Sequence, residues 1–482
     1  MSKVQGTILA AALLFAPAAA DAATPSLAAN GLRSTARTIE VGGPVRIEGL
    51  RDRDAARAET FVGERFEVFT PDARVVVAGD AGPEEVAVPA NVYFKGAFEG
   101  VSGSRVLISV LADGNVRGIA TDWSGAALVL PSFDGVPELR RIDPARAPNR
   151  TFSCGQSKLA TPFEPLSSDW SPAPSAATLT PPPAHTARLA VETDFEFYQL
   201  FGNTLDATNY VADIVAFMSI LYDDEVDTSI RLSYLRLWTT SGDPWNQVSP
   251  VCNLFDLGKR WNDTQGTVSR TIVHMMSGKN NGGGVAWVGV LCSGSFTFNT
   301  SGYGCTFTNN SNYGGGYGYT GTMDGNFTYE NPGVLWDTVA TSHEIGHNFN
   351  SPHTHCYGNL GGNPNVVDAC YAGECGDPGC HCGALGYPGA GAATGGTQGT
   401  GAGTVMSYCH LRPGGFSNVT YTFGQGHPFG VAPDRVPSRM MSHVAAVSGV
   451  NPTCLAFVPG SSVIFRHGFD AGSTGGWSAS AP

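Results

Sequence analysis

His343-Glu344-Ile345-Gly346-His347-Asn348-Phe349-Asn350-Ser351-Pro352-His353 is the stretch on which the reading of this chain turns. Residues i and i+4 share one face of an α-helix, so His343 and His347 can grip a single ion. Zinc binds imidazole nitrogen at about 2.0–2.1 Å, and a catalytic zinc takes three protein ligands and keeps one position for water. Glu344 lies between the two histidines. From there its carboxylate can reach that water, take a proton from it and pass the proton to a leaving amine. The flanks support a helix. Asn331-Pro332 offers an N-cap followed by proline at the first helical position, and Leu335, Trp336 and Val339 give an apolar face. The pattern stops at Asn350, a residue type that tolerates the left-handed conformation ending many helices. A sharp turn there returns the chain toward the helix, so that a third histidine, His353 or His355, completes the set. A bare five-residue motif recurs by chance on surface helices; a third histidine just after the helix end argues against chance.

Further along stands Thr404-Val405-Met406-Ser407-Tyr408. Together the two segments resemble the metzincin metalloproteases, and within them the adamalysin/reprolysin-like group, whose pattern is HExxHxxGxxH followed by a Met-containing turn. The one departure is Asn350 where the group has glycine. Asn is the next most tolerant residue at that backbone geometry, so the ligand set is kept. The resemblance implies that His343, His347 and His353, rather than His355, bind one catalytic Zn2+, and that Glu344 is the general base. It implies that Met406 lies beneath the ligands as an apolar floor. It sets Tyr408 near the metal, to bind it or to stabilise a tetrahedral oxyanion; a buried structural tyrosine is the other reading of Tyr408. The implied fold is an α/β metzincin-like catalytic domain over about 187–457, with a twisted mixed sheet, an active-site helix under a cleft and an irregular, disulfide-stapled lower half. The stretch between His353 and Met406, rich in Gly and Cys, reads as an insertion that shapes substrate binding. Calcium sites occur in the group, and no loop of this sequence specifies one.

Outside these motifs the chain has 482 residues and a formal net charge of −13. At roughly 100–200 residues per domain this is room for two or three units. An acidic chain without a basic run is a poor partner for nucleic acid, whose binding rests on Lys and Arg meeting phosphate. Lys3 followed by the apolar stretch Ile8–Ala16 and a small-x-small site near Ala20-Asp21-Ala22 reads as a signal peptide over 1–22. That run is too short for the roughly 20 residues a membrane span needs, and no later one is long enough either. A secreted, extracellular protein follows. Residues 23–156 read as a β-rich propeptide. Arg65–Phe69 and Val92–Phe98 alternate with period two, and Arg105–Val110 and Ala127–Leu130 read as more buried strands. Residues 157–186, rich in Pro, Ser and Thr, read as a linker open to activation cleavage. In the catalytic stretch, strands are expected at Arg188–Thr193, Ile230–Trp238 and Thr271–Met275, and a helix at Tyr210–Leu221. Val285–Leu291 reads as a short strand or loop, and His274 in its strand as structural or substrate-facing. Residues 458–482 form a tail whose Ile464–Ser478 stretch resembles terminal segments of exported bacterial proteins.

Of 11 cysteines only Cys154 precedes residue 250. In an oxidising compartment the ten later ones can pair among themselves, and this favours disulfides over a second metal site at Cys380-His381-Cys382. Cys154 is left over by count. A thiolate is a strong zinc ligand, and Cys154-Gly155 resembles the cysteine switch of related zymogens, so Cys154 is the candidate inhibitory ligand. The favoured function is an endopeptidase acting on proteins or peptides through zinc-activated water. Two rivals are a catalytically inactive disulfide-rich binding or adhesion module on the same fold, and a zinc hydrolase of non-protein amides. Retention of Glu344 with all three histidines speaks against the first, and only substrate profiling separates the second.

Overall fold

The computed structural model describes residues 24–55, 57–132, 135–143, 154, 183–307, 309–387, 403–425 and 434–458. The expected signal peptide, nearly all of the linker and nearly all of the tail lie outside the described residues.

The chain opens with β1 (Ser26–Ala28), one helical turn α1 (Leu32–Thr35), β2 (Pro44–Asp52) and β3 (Arg57–Phe66). Then come β4 (Phe69–Gly79), β5 (Gly82–Val86), β6 (Val92–Phe98), β7 (Arg105–Val110), β8 (Val116–Asp122), β9 (Gly125–Pro131) and β10 (Pro137–Arg141). β3, β6, β7, β8, β9 and β10 pair in that order, and β2 joins β10 to β3, so the sheet closes on itself as a barrel. Its interior is filled by Val45, Ile47, Phe61, Phe94, Val106, Ile108, Val129 and Leu139. The alternating stretch Arg65–Phe69 is not one strand. It straddles the end of β3 and the start of β4, where the chain leaves the barrel.

The second half contains β11 (His185–Thr193), α2 (Phe195–Gln199), α3 (Thr204–Val226), β12 (Thr228–Trp238), α4 (Pro250–Thr264), β13 (Ile272–Met276) and β14 (Gly284–Ala286). The hairpin β15 (Phe296–Asn299) and β16 (Asn310–Gly314) follows, then β17 (Tyr317–Thr320), α5 (Gly333–Asn348) and α6 (Arg435–Val450). The main sheet runs β14-β17-β13-β11-β12-β4-β5. It is parallel except for the two outermost strands. Strands β4 and β5 come from the N-terminal stretch, so the sheet extends beyond the residues expected to build it.

Period-two alternation divides the sheet residues between two faces. Ala190, Val273 and Met275 meet Leu254, Phe255, Leu257 and Trp261 of α4, whereas Leu189, Val191, Ile272 and Met276 share a core with α3 and α5. α3 is buried on nearly every side, its polar positions included, with the sheet on one flank and β6 and β7 of the barrel on another. This explains why every residue of β7 is buried: one face looks into the barrel and the other onto α3. His274 of β13 is a core residue. Burial pushes its imidazole down to about 3, and its Nε2 lies 2.8 Å from Thr320 Oγ1. Among the described residues no helix is long and apolar enough to cross a membrane.

Candidate metal centre

α5 starts at Gly333 with Pro332 as its capping residue, one position later than the Asn331-Pro332 expectation. At its other end Asn350 takes φ +74°, the left-handed conformation that the sequence predicts. The side chain there has a use glycine could not serve. Arg439 of α6 donates to the Asn350 carbonyl at 2.6 Å and to its Oδ1 at 3.1 Å, so the departure from glycine ties the turn to the last helix. The turn is closed further by Ser351 N donating to Gly346 O at 3.1 Å.

This geometry brings His343, His347 and His353 together. All three rings are buried, and each is held from behind through Nδ1. The partners are Val405 O at 2.8 Å, Ser351 O at 2.6 Å and Glu374 Oε2 at 2.8 Å. An oxygen acceptor fixes the proton on Nδ1 and leaves a lone pair on Nε2. Burial and the neighbouring rings push His347 down to about 3 and His343 well below its ordinary value, so the rings are neutral donors. The buried His353 Nε2 has no hydrogen-bond partner in the protein. Three neutral ring nitrogens within 4.8 Å of one another, with an orphaned buried Nε2 among them, suit a divalent cation.

Met406 sits directly under α5. Its neighbour Val405 supplies the carbonyl that holds His343, and its own carbonyl accepts from Thr354 N at 3.1 Å. One turn thus braces the first histidine and the residue after the third. A Cβ on Gly346 would overlap Met406 Sδ, which is why the fourth position of the motif is glycine. Gly346→Ala should therefore lower the thermal unfolding midpoint. Overpacking costs typically about 1–3 kcal/mol, which outweighs the gain of about 1 kcal/mol for Ala over Gly in a helix. In a Met406→Ala background the same change should be neutral or stabilising. A midpoint that falls equally in both backgrounds would disprove the contact.

Glu344 is fully buried, and burial raises its carboxyl well above the usual range. Gly284 of the edge strand β14 lies against it so closely that a Cβ would overlap Oε1. The structure brings Cys154 to the same place. Its thiol is 3.3 Å from Glu344 Oε2 and 3.4 Å from His347 Nε2, and Cys154, His343, His347 and His353 offer ligand atoms all within 4.8 Å of one another. Tyr408 OH accepts from Cys154 N at 2.6 Å, and its ring lies 4.5 Å from that of His353.

His355 stacks on His353, with ring centroids 5.2 Å apart, but its nitrogens are not part of the cluster formed by Cys154, His343, His347 and His353. Its Nε2 lies 2.9 Å from Glu374 Oε2, the same oxygen that holds His353. Burial opposes the charge of Glu374, but the bonds from His353 and His355 outweigh it and keep the carboxyl well below its usual range. Sequence reasoning assigns Glu374 no role. The one signal is its position beside Cys375 in the insertion, where disulfides Cys356–Cys380, Cys375–Cys382 and Cys370–Cys409 fix the backbone. Those bonds also take the thiols of Cys380 and Cys382 out of use as ligands. Cys252–Cys305 and Cys292–Cys454 complete the pairing of the ten later cysteines.

Residues 184–421 match Reprolysin_5, the Metallo-peptidase family M12. No curated protein matches the chain significantly. Among solved structures the chain is similar to metalloproteinase-II from Bacteroides fragilis, at 13% sequence identity and a TM-score of 0.30 over 71% of this chain and 95% of that one. Residues 184–421, where the histidine cluster lies, thus form a reprolysin-like metallopeptidase unit of family M12, and the chain is a zinc metalloendopeptidase.

Proposed function

We propose that the chain is a secreted endopeptidase, made as a precursor, in which His343, His347 and His353 hold one Zn2+ and Glu344 is the general base for hydrolysis of peptide bonds in protein substrates. The observation that carries this is the set of three buried rings, each held through Nδ1 by an oxygen. Zinc held there supplies Lewis-acid polarisation of a peptide carbonyl and acidifies water. Glu344 takes the proton from the attacking water and hands it to the leaving amine. Tyr408, once its hydroxyl is free of Cys154, donates to the oxyanion, and Met406 keeps the floor of the site dry. Glu374 holds His353 in the required tautomer, as carboxylates do behind metal-bound histidines. Five disulfides fit folding in an oxidising compartment, and so export. In the precursor, residues 23–156 act as an inhibitory propeptide, with Cys154 filling the position meant for water. An inactive adhesion module has no use for a buried carboxylate beside three such rings.

Metal analysis tests the ligand set. His353→Ala should lose zinc on dialysis against a weak chelator and lose casein cleavage with it. His355→Ala should keep both, because its Nε2 bonds Glu374 and none of its nitrogens joins the cluster of ligand atoms, although its ring stacks on His353. The reverse pattern would overturn the assignment.

A further inference from the structure

We propose that the N-terminal barrel is a permanent half of the peptidase, bound to the catalytic half by a surface that holds after the linker is cut. The proposal rests on the reading above that the linker is an activation site, but not on Cys154 being the inhibitor.

The first observation is topological. β4 leaves the barrel after β3 and lies parallel to β12, with Leu232 opposite Phe69 and Tyr234 to Trp238 opposite Arg74 to Ala78. Leu232 N donates to Val68 O at 2.8 Å and Thr239 N to Ala78 O at 2.9 Å. Arg188 beside this edge binds Asp72 at 2.6 Å. If the barrel left, β12 would become an open edge strand of the central sheet, a form natural proteins avoid.

The second observation lies on α3. Asn209, Asp213 and Asp224 recur at helical spacing, Asp223 flanks the last of them, and all four meet the N-terminal half. Asn91 donates to Asn209 at 2.8 Å. Ser109 donates to Asp213 at 2.6 Å, and Arg117 pairs with the same carboxylate. Lys95 pairs with Asp223, and Arg105 binds Asp224 at 2.9 Å. Arg105 also reaches Glu225 at 2.6 Å and the Tyr421 carbonyl at 2.9 Å. Asp213 and Glu225 are almost wholly buried, and stripping the cation from a buried carboxylate is strongly unfavourable. Phe66, Val68, Tyr93, Leu107, Ile119 and Leu128 of the N-terminal half share one core with α3 and the sheet. Every disulfide joins residues beyond 250, so no covalent bond but the linker holds the halves together.

The test inserts a site-specific protease sequence in the linker of the full precursor and cuts it. Gel filtration with light scattering then reads the mass in 0.15 M and 1 M NaCl, since buried pairs are screened little by salt. Hydrogen exchange reads the Leu235–Trp238 amides, and a peptide assay is run on the same sample. The expected result is one species with the mass of the uncut chain at both salt concentrations, and unchanged protection of β12. A Lys95→Glu/Arg105→Glu chain, verified as folded before cutting, should hold its cut halves at least tenfold more weakly; equal retention would overturn the assignment to this face. A rise in activity without separation supports both the inference and the inhibitory reading, whereas separation with a rise in activity sinks the inference alone. No rise with the halves together sinks only the inhibitory reading. A catalytic half eluting alone, with β12 exchange up tenfold or more, overturns the proposal.

Discussion

Glu344→Gln is expected to lower peptidase turnover by about 10²–10⁴-fold, the usual worth of a positioned general base, while zinc content and thermal midpoint stay near wild type. Gln has the shape of Glu and fits the space bounded by Gly284, so the change removes one capacity, that of accepting a proton. Glu344 Oε1 has no protein hydrogen-bond partner, so the amide breaks no bond on that side. On the other side the Cys154 thiol donates to Oε2, and an amide oxygen can accept in its place. The separation of effects is the point of the experiment. A variant that loses activity together with zinc would show a collapsed site instead of a missing base. One that cleaves casein at near wild-type rate would remove Glu344 from the mechanism.

The metal-binding half of this site was legible because its determinants are local. His343, Glu344 and His347 are set by helical spacing, and Asn350 and Pro352 mark the turn that returns His353. Each rule acts within a few residues, so sequence order is a fair guide to space. The supports of the rings are not local in that sense. Val405 and Glu374 lie 62 and 21 residues from the histidines they hold. Glu374 is an acidic residue in a Gly- and Cys-rich stretch, where composition suggests an irregular loop and nothing more.

The fold shows the same division. Arg105–Val110 could be read as a buried strand, but that its second face is covered by α3 depends on a contact across more than a hundred residues. β4 is a sharper case. Its Val75-Val76-Val77 run fits a strand in any sheet, and no local pattern says that it leaves the barrel to join β12. α4 had a usable signal in Ser249-Pro250, since Ser249 Oγ accepts from Cys252 N and proline starts the helix. α6 lacks a side-chain cap. Its place is set by Arg439 and Arg435 reaching the Asn350 and Tyr357 carbonyls, contacts invisible in its own sequence.

Cys154→Ser should raise the peptidase activity of the uncut precursor by roughly 10²-fold on a short peptide substrate. Holding about 99 in 100 molecules closed takes roughly 2.7 kcal/mol, since each tenfold step is worth about 1.4 kcal/mol. Thiolate sulfur is a strong zinc ligand, whereas a serine hydroxyl is not among the usual ones. Cys154 completes a set of four protein donors with His343, His347 and His353; four such donors make a closed, structural type of site, and three leave the position a catalytic one needs. Serine keeps the backbone of residue 154 and so its bonds to Tyr408, at 2.6 Å from N and 3.3 Å from O. The variant therefore asks about the thiol alone, and some residual inhibition through Tyr408 should persist as a raised KM. A mercurial that caps the thiol should activate the wild-type precursor in the same way and leave Cys154→Ser unchanged. A Cys154→Ser precursor as silent as the wild type, with zinc still bound, would mean that coverage of the cleft does the blocking, and that sulfur ligation adds nothing to it.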